Sequence, residues 1–87
     1  MTTTRLPKHE VGERGRRIYQ SRLPGLLEAG LKGLFVAIDV VSEECEVAEE
    51  ARDAGERLRA KHPDAQVLVE RIGYPAAFSA LGLRSRR

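Results

Sequence analysis

A chain of 87 residues is one domain at most, with a thin core, and 41% apolar with 32% charged residues is the composition of a folded protein. No apolar run reaches the roughly 18 residues of a membrane-spanning helix, and a single cysteine, Cys45, excludes an internal disulfide and points to a reducing cytoplasm. The net charge of +2 conceals three zones: seven Lys/Arg against three Glu over residues 1–32, three Arg against eight acids over 33–60, and five Lys/Arg against two acids over 61–87. Basic ends around an acidic middle can steer an anionic partner to one end of the molecule.

Residues 1–9 hold three Thr and Pro7, show no apolar periodicity and lack the apolar stretch of a signal peptide, so they read as a flexible N-terminus. A helix is expected from about Glu10 to Ser21, with Ile18, Tyr19 and Leu23 on its apolar side. Gly12 and Gly15 weaken its first turns by roughly 1 kcal/mol each relative to Ala. Pro24 suits the first turn of a second helical segment, buried through Leu26, Leu27 and Leu31, with Gly30 and Gly33 bracketing its end. Leu34–Val41 is the strongest strand, a near-continuous apolar run that suits a central position covered on both faces. Residues 44–47 alternate polar and apolar, as a second strand in a hairpin would; a helix starting at Ser42 is the alternative.

Ala48 to His62 reads as the best helix. Val47, Ala51, Ala54 and Leu58 make one face, acids lead, Arg57, Arg59 and Lys61 trail, and Asp53 and Arg57 form an i,i+4 pair before Pro63 ends it. Gln66–Ile72 is the last strand, Gly73-Tyr74-Pro75 a turn, and Ala76–Leu81 a helical turn that packs Tyr74 and Phe78 on the core. Residues 83–87 are a basic tail. The fold class is therefore a small α+β domain over residues 10–82. Its order is α-ββ-α-β, with a three-stranded, mostly antiparallel sheet of strand order 2-1-3 covered by helices. Glu44, Glu46, Glu70 and Arg71 are expected to guard the two sheet edges.

Chemistry is sparse. His9 and His62 have no Cys, His or carboxylate at metal-ligand spacing, so no metal is implied. Cys45 lies between Glu44 and Glu46, which disfavours its thiolate. The glycines form neither a Walker loop nor GxGxxG, and no serine sits in a nucleophile elbow, so no cofactor or catalytic residue is assigned. Asp39, Arg71 and Tyr74 are the only enzymatic candidates, and a turn, an edge charge and a packed aromatic explain them better. Two binding readings remain. A protein partner or self-association would use the sheet edges and Cys45, Val47, Tyr74 and Phe78. Nucleic acid would contact Arg14, Arg16, Arg17, Arg22, Arg84, Arg86 and Arg87, of which Arg14 and Arg17 share a helix face and Arg16 points elsewhere.

Lys32-Gly33-Leu34-Phe35-Val36-Ala37-Ile38-Asp39, His62-Pro63-Asp64-Ala65 and Arg71-Ile72-Gly73-Tyr74-Pro75-Ala76-Ala77 together resemble a family of short bacterial proteins with a KGxFVAID…HPDA…R[IV]GYPA pattern. The resemblance spans roughly residues 16–79 and includes Ile18-Tyr19 and Leu26-Leu27-Glu28. It implies an α-ββ-α-β domain and a small partner protein, of the kind encoded in antitoxin-like gene pairs or beside retropepsin-like proteases. Relatives carry Thr-Gly after the first strand where this chain has Ser42-Glu43. That difference argues against a tight turn, because Glu tolerates positive φ poorly.

Overall fold

The computed structural model describes residues 5–74. Within them the order is α1 (Lys8–Glu28), β1 (Phe35–Asp39), β2 (Cys45–Ala48), α2 (Ala51–Lys61) and β3 (Val67–Arg71). The strands form one antiparallel sheet ordered β2-β1-β3, with Phe35 opposite both Ala48 and Arg71, and Asp39 opposite Val67. The α-ββ-α-β order, the hairpin and the 2-1-3 sheet all follow the sequence reading.

Strand alternation divides the core in two. Val36, Ile38 and Ile72 face one way and bury with Tyr19 of α1, joined by Ile18, Leu23, Leu26, Cys45 and Val47. Ala37 and Ala48 face the other way and bury with Ala54 and Leu58 of α2, joined by Phe35, Val67 and Val69. The sheet is thus sandwiched between the helices, and its central strand is covered on both faces. The α2 side is built largely from alanines, so that helix lies close to the strands.

Three boundaries differ from expectation. The two helical segments expected around Pro24 are one helix, with Pro24 inside it. Proline removes one helical hydrogen bond, but Pro24 and Gln20 are both exposed, so water can take the freed carbonyl. The helix starts at Lys8, not Glu10, because the preceding segment is anchored. Leu6 N–H donates to the Gln66 side-chain oxygen at 2.9 Å, and the Gln66 amide donates back to the Leu6 carbonyl at 3.0 Å. Finally, α2 starts at Ala51, since β2 continues through Ala48, and Ala51 is exposed instead of buried. The expected Asp53–Arg57 pair is replaced by a hydrogen bond from Arg57 to the Val47 carbonyl at 3.1 Å. The helical turn expected at Ala76–Leu81 and the basic tail lie outside the described residues.

Candidate functional site

The hairpin turn absorbs Asp39. Its carboxylate, 4% exposed, accepts the Val41 N–H on Oδ1 at 3.1 Å and the Ser42 hydroxyl on Oδ2 at 2.8 Å. Its carbonyl accepts the Glu43 N–H at 2.7 Å. Burial alone pushes the carboxyl up. Hydrogen bonds from the Ser42 hydroxyl and from the backbone of Val41, Gln66 and Ser42 outweigh it, and the group is held below its ordinary range. With both oxygens engaged, Asp39 is a turn residue, as the sequence indicates.

The turn closes tightly despite Glu43, which takes φ 67°. That conformation costs a non-glycine residue roughly 1–2 kcal/mol. Arg22 of α1 clamps it, donating from Nη2 to the Glu43 carbonyl at 2.8 Å and from Nη1 to Cys45 Sγ at 3.4 Å. Glu43→Gly should therefore raise stability by about 0.5–1 kcal/mol, seen as a higher urea midpoint. A lower midpoint would show that the Glu43 side chain contributes more than its backbone strain costs. Cys45 acquires through the fold a basic neighbour that it lacks in sequence. Burial nevertheless pushes its thiol up; Arg22 opposes this, while Glu44, Glu43 and Glu46 add to it. Cys45 is a protonated, half-buried packing residue.

The four helix arginines go to three places. Arg14 and Arg17, on one face as expected, line a cleft of ≈ 420 Å³ with Ile18, Ser21, Val40 and Glu43. Arg16 lies on another side, where its charge partly counters the burial that pushes the Glu70 carboxyl up. Arg22 is engaged at the turn. Arg84, Arg86 and Arg87 lie outside the described residues, as does Phe78.

The enzymatic candidates do not meet. Arg71 stacks on Tyr74 with its guanidinium 4.2 Å from the ring centroid and 5.9 Å from that of Phe35, and Lys32 Nζ sits 5.8 Å from the Tyr74 centroid. This cluster lies at the Phe35 end of β1, whereas Asp39 lies at the opposite end. Tyr74 is 43% exposed, so it caps Arg71 instead of packing in the core. Of the other candidate partner residues, Cys45 and Val47 turn their side chains into the α1-side core.

The two sheet edges differ in how fully they are closed. On β2, Asp39 N–H donates to the Glu44 carbonyl, so Glu44, Glu46 and Ala48 turn their backbone to β1 and Cys45 and Val47 turn theirs outward. Of those outward groups the Val47 carbonyl accepts Arg57 at 3.1 Å, and on the α2 face beside this edge Lys61 pairs with the Glu46 carboxylate and His62 Nε2 lies 3.1 Å from Glu44 Oε1. On β3, Val40 N–H donates to the Gln66 carbonyl and Ile72 N–H to the Leu34 carbonyl. Residues 67, 69 and 71 therefore point outward. The Arg71 carbonyl accepts the Tyr19 hydroxyl at 3.2 Å. The outward N–H and C=O groups of Val67 and Val69 have no partner among the described residues. Glu70, expected to guard this edge, does not: alternation turns it under α1, where it is 8% exposed. The sequence reading offered both sheet edges without choosing between them, and it did not find the groove beside β3, because that depends on how the helices pack against the strand.

Among the described residues no three His, Cys, Asp or Glu are placed to share a metal ion, and no helix is long and apolar enough to cross a membrane. No family model, curated protein or solved structure matches this chain.

Proposed function

We propose that the chain is a small non-enzymatic protein-interaction module that receives a partner's extended strand on the outer edge of β3. The observation that carries this reading is the asymmetry of the edges. On the β2 edge Arg57 occupies the outward Val47 carbonyl and two ion pairs flank the strand, whereas the two N–H and two C=O groups that Val67 and Val69 turn outward have no partner among the described residues and lie beside half-buried valine side chains. An open edge of that kind is a template for strand addition, where main-chain hydrogen bonds supply affinity. A cytoplasmic location, to which the lone Cys45 points, an antitoxin-like role, which the motif resemblance implies, and the alternative of an accessory subunit of a larger complex belong to the same proposal.

Affinity purification of the tagged full chain from its native host, with and without nuclease, tests this for wild type and Val69→Pro. Proline at 69 removes an outward N–H and trims the Val69 packing on α2 but breaks no bond between β3 and β1, a change that edge strands tolerate. A stoichiometric protein should survive nuclease and be lost with Val69→Pro while the circular dichroism spectrum is unchanged. Retention of the partner by Val69→Pro, or an unaccompanied monomer, would overturn the reading. Nucleic-acid binding is the second reading, favoured by Arg14 and Arg17, which share a cleft and have no carboxylate partner among the described residues. Its signature is capture that vanishes with nuclease and falls steeply with salt. Glu43 in the same cleft lowers its net charge and places this reading second.

A further inference from the structure

A groove of ≈ 370 Å³ runs at the Gln66–Val67 end of the β3 edge, between the two helix layers. Lys8 and Val11 of α1 form one wall and Arg59 of α2 the other, with Arg5, Leu6, Pro63, Ala65 and Gln66 at its end. Among the described residues its charged lining consists of Arg5, Lys8 and Arg59, with no carboxylate. None of the three cations has an acidic partner among the described residues, where the ion pairs are Lys61–Glu46 and His62–Glu44. Arg5 makes one long contact, 3.4 Å to the Asp64 carbonyl, and borders a second cleft that Asp39 and Asp64 also line, without an ion pair to either.

We infer that the strand received by β3 is an acidic one: an extended segment of another protein whose carboxylates fall against Arg5, Lys8 and Arg59 while its backbone pairs with Val67 and Val69. This rests on the strand-addition reading above and adds the partner's chemistry to it. Alternate residues of an added strand project to opposite faces of the sheet. Carboxylates on one set therefore reach Lys8 on the α1 side, and those on the other set reach Arg59 on the α2 side. A second copy of this chain is the poorer occupant. Antiparallel pairing of β3 with its own copy is isologous and sets Val67 opposite Val69 of the copy, so each cationic groove meets the end of the copy's strand that carries the exposed Arg71, and like charges in apposition oppose association.

Two seven-residue peptides, Thr-Glu-Glu-Thr-Glu-Glu-Thr and the same sequence with Lys for Glu, each carrying charge on both faces of the strand, are the probes, titrated into the ¹⁵N-labelled full chain. The Thr/Glu peptide should shift the amide resonances of Val67 and Val69 and slow their hydrogen exchange. Its affinity should fall at least about tenfold between roughly 0.05 and 0.5 M salt. The Thr/Lys peptide should leave those amides unmoved, and Lys8→Glu with Arg59→Glu should reverse the preference. Equal response to both peptides would leave strand addition standing and overturn the acidic assignment. No response of the Val67 and Val69 amides to either peptide would overturn both. Concentration-dependent dimerisation through β3, seen by light scattering and abolished by Val69→Pro, would overturn the acidic partner in favour of a second copy.

Discussion

Asp39→Ala should lower stability by about 2–4 kcal/mol at neutral pH, because two hydrogen bonds to a charged acceptor are lost and the part-buried Val41 N–H is left unpaired. The loss should be pH-dependent. The Asp39 carboxyl is held below its ordinary value of 3.8 in the folded chain, so between the two values the unfolded chain binds more protons. Its contribution is therefore complete above pH 3.8 and disappears as pH falls through the lower folded value. Urea midpoints of wild type and Asp39→Ala, followed from neutral pH to about pH 2, should converge in acid. A gap that stays constant would mean that the bonds to Val41 and Ser42 do not depend on the carboxylate charge. Asp39→Asn keeps one acceptor oxygen and should fall between the two.

The fold was legible wherever a local pattern coincided with a tertiary need. The apolar run at 34–41 could be covered only from both sides, and β1 is the central strand. Polar-apolar alternation at 44–47 identified a hairpin partner, and Pro63 follows the end of α2 as expected. Local rules failed where tertiary contact overrode them. Pro24 argued for two helical segments, yet packing of Ile18, Tyr19, Leu23 and Leu26 on one sheet face holds α1 continuous. Ser42-Glu43 argued against a tight turn, yet Asp39 and Arg22 impose it from opposite sides.

The candidate site was less legible, for a related reason. Residues 22 and 45 are far apart in sequence, so the Arg22–Cys45 contact leaves no local trace. The exposure of β3 is decided by strand order, and the side taken by Glu70 by strand parity. A single added or missing residue of register would have turned Glu70 under α2 and Val69 under α1. The cations of the β3 groove come from the chain before α1 (Arg5), from α1 (Lys8) and from α2 (Arg59), and only the assembled sandwich brings them to one edge. Charge zones along the chain are a poor guide here, since Arg59 belongs to the acidic middle of the sequence.

Gly15→Val should cost about 2–3 kcal/mol, a large part of the stability available to a domain of this size. In sequence Gly12 and Gly15 look alike, two helix-weakening residues; in the fold they have opposite roles. A Cβ at Gly15 would lie 2.5 Å from Leu68 Cδ2 and 2.7 Å from Leu68 Cβ. The second atom is fixed to β3, so no rotamer of Leu68 relieves the clash and α1 must lift off the sheet. A Cβ at Gly12 meets nothing nearer than the Arg16 side chain at 3.6 Å. Gly12→Ala should therefore stabilise by up to about 1 kcal/mol through helix propensity alone. Thermal melts of the two variants should move in opposite directions. Adding Leu68→Ala to Gly15→Val should cost less than the sum of the single changes, since trimming Leu68 removes part of the collision. A Gly15→Val protein as stable as wild type would mean that α1 does not rest on β3 at this point, and the close approach that sets the α1 wall of the β3 groove would have to be abandoned with it.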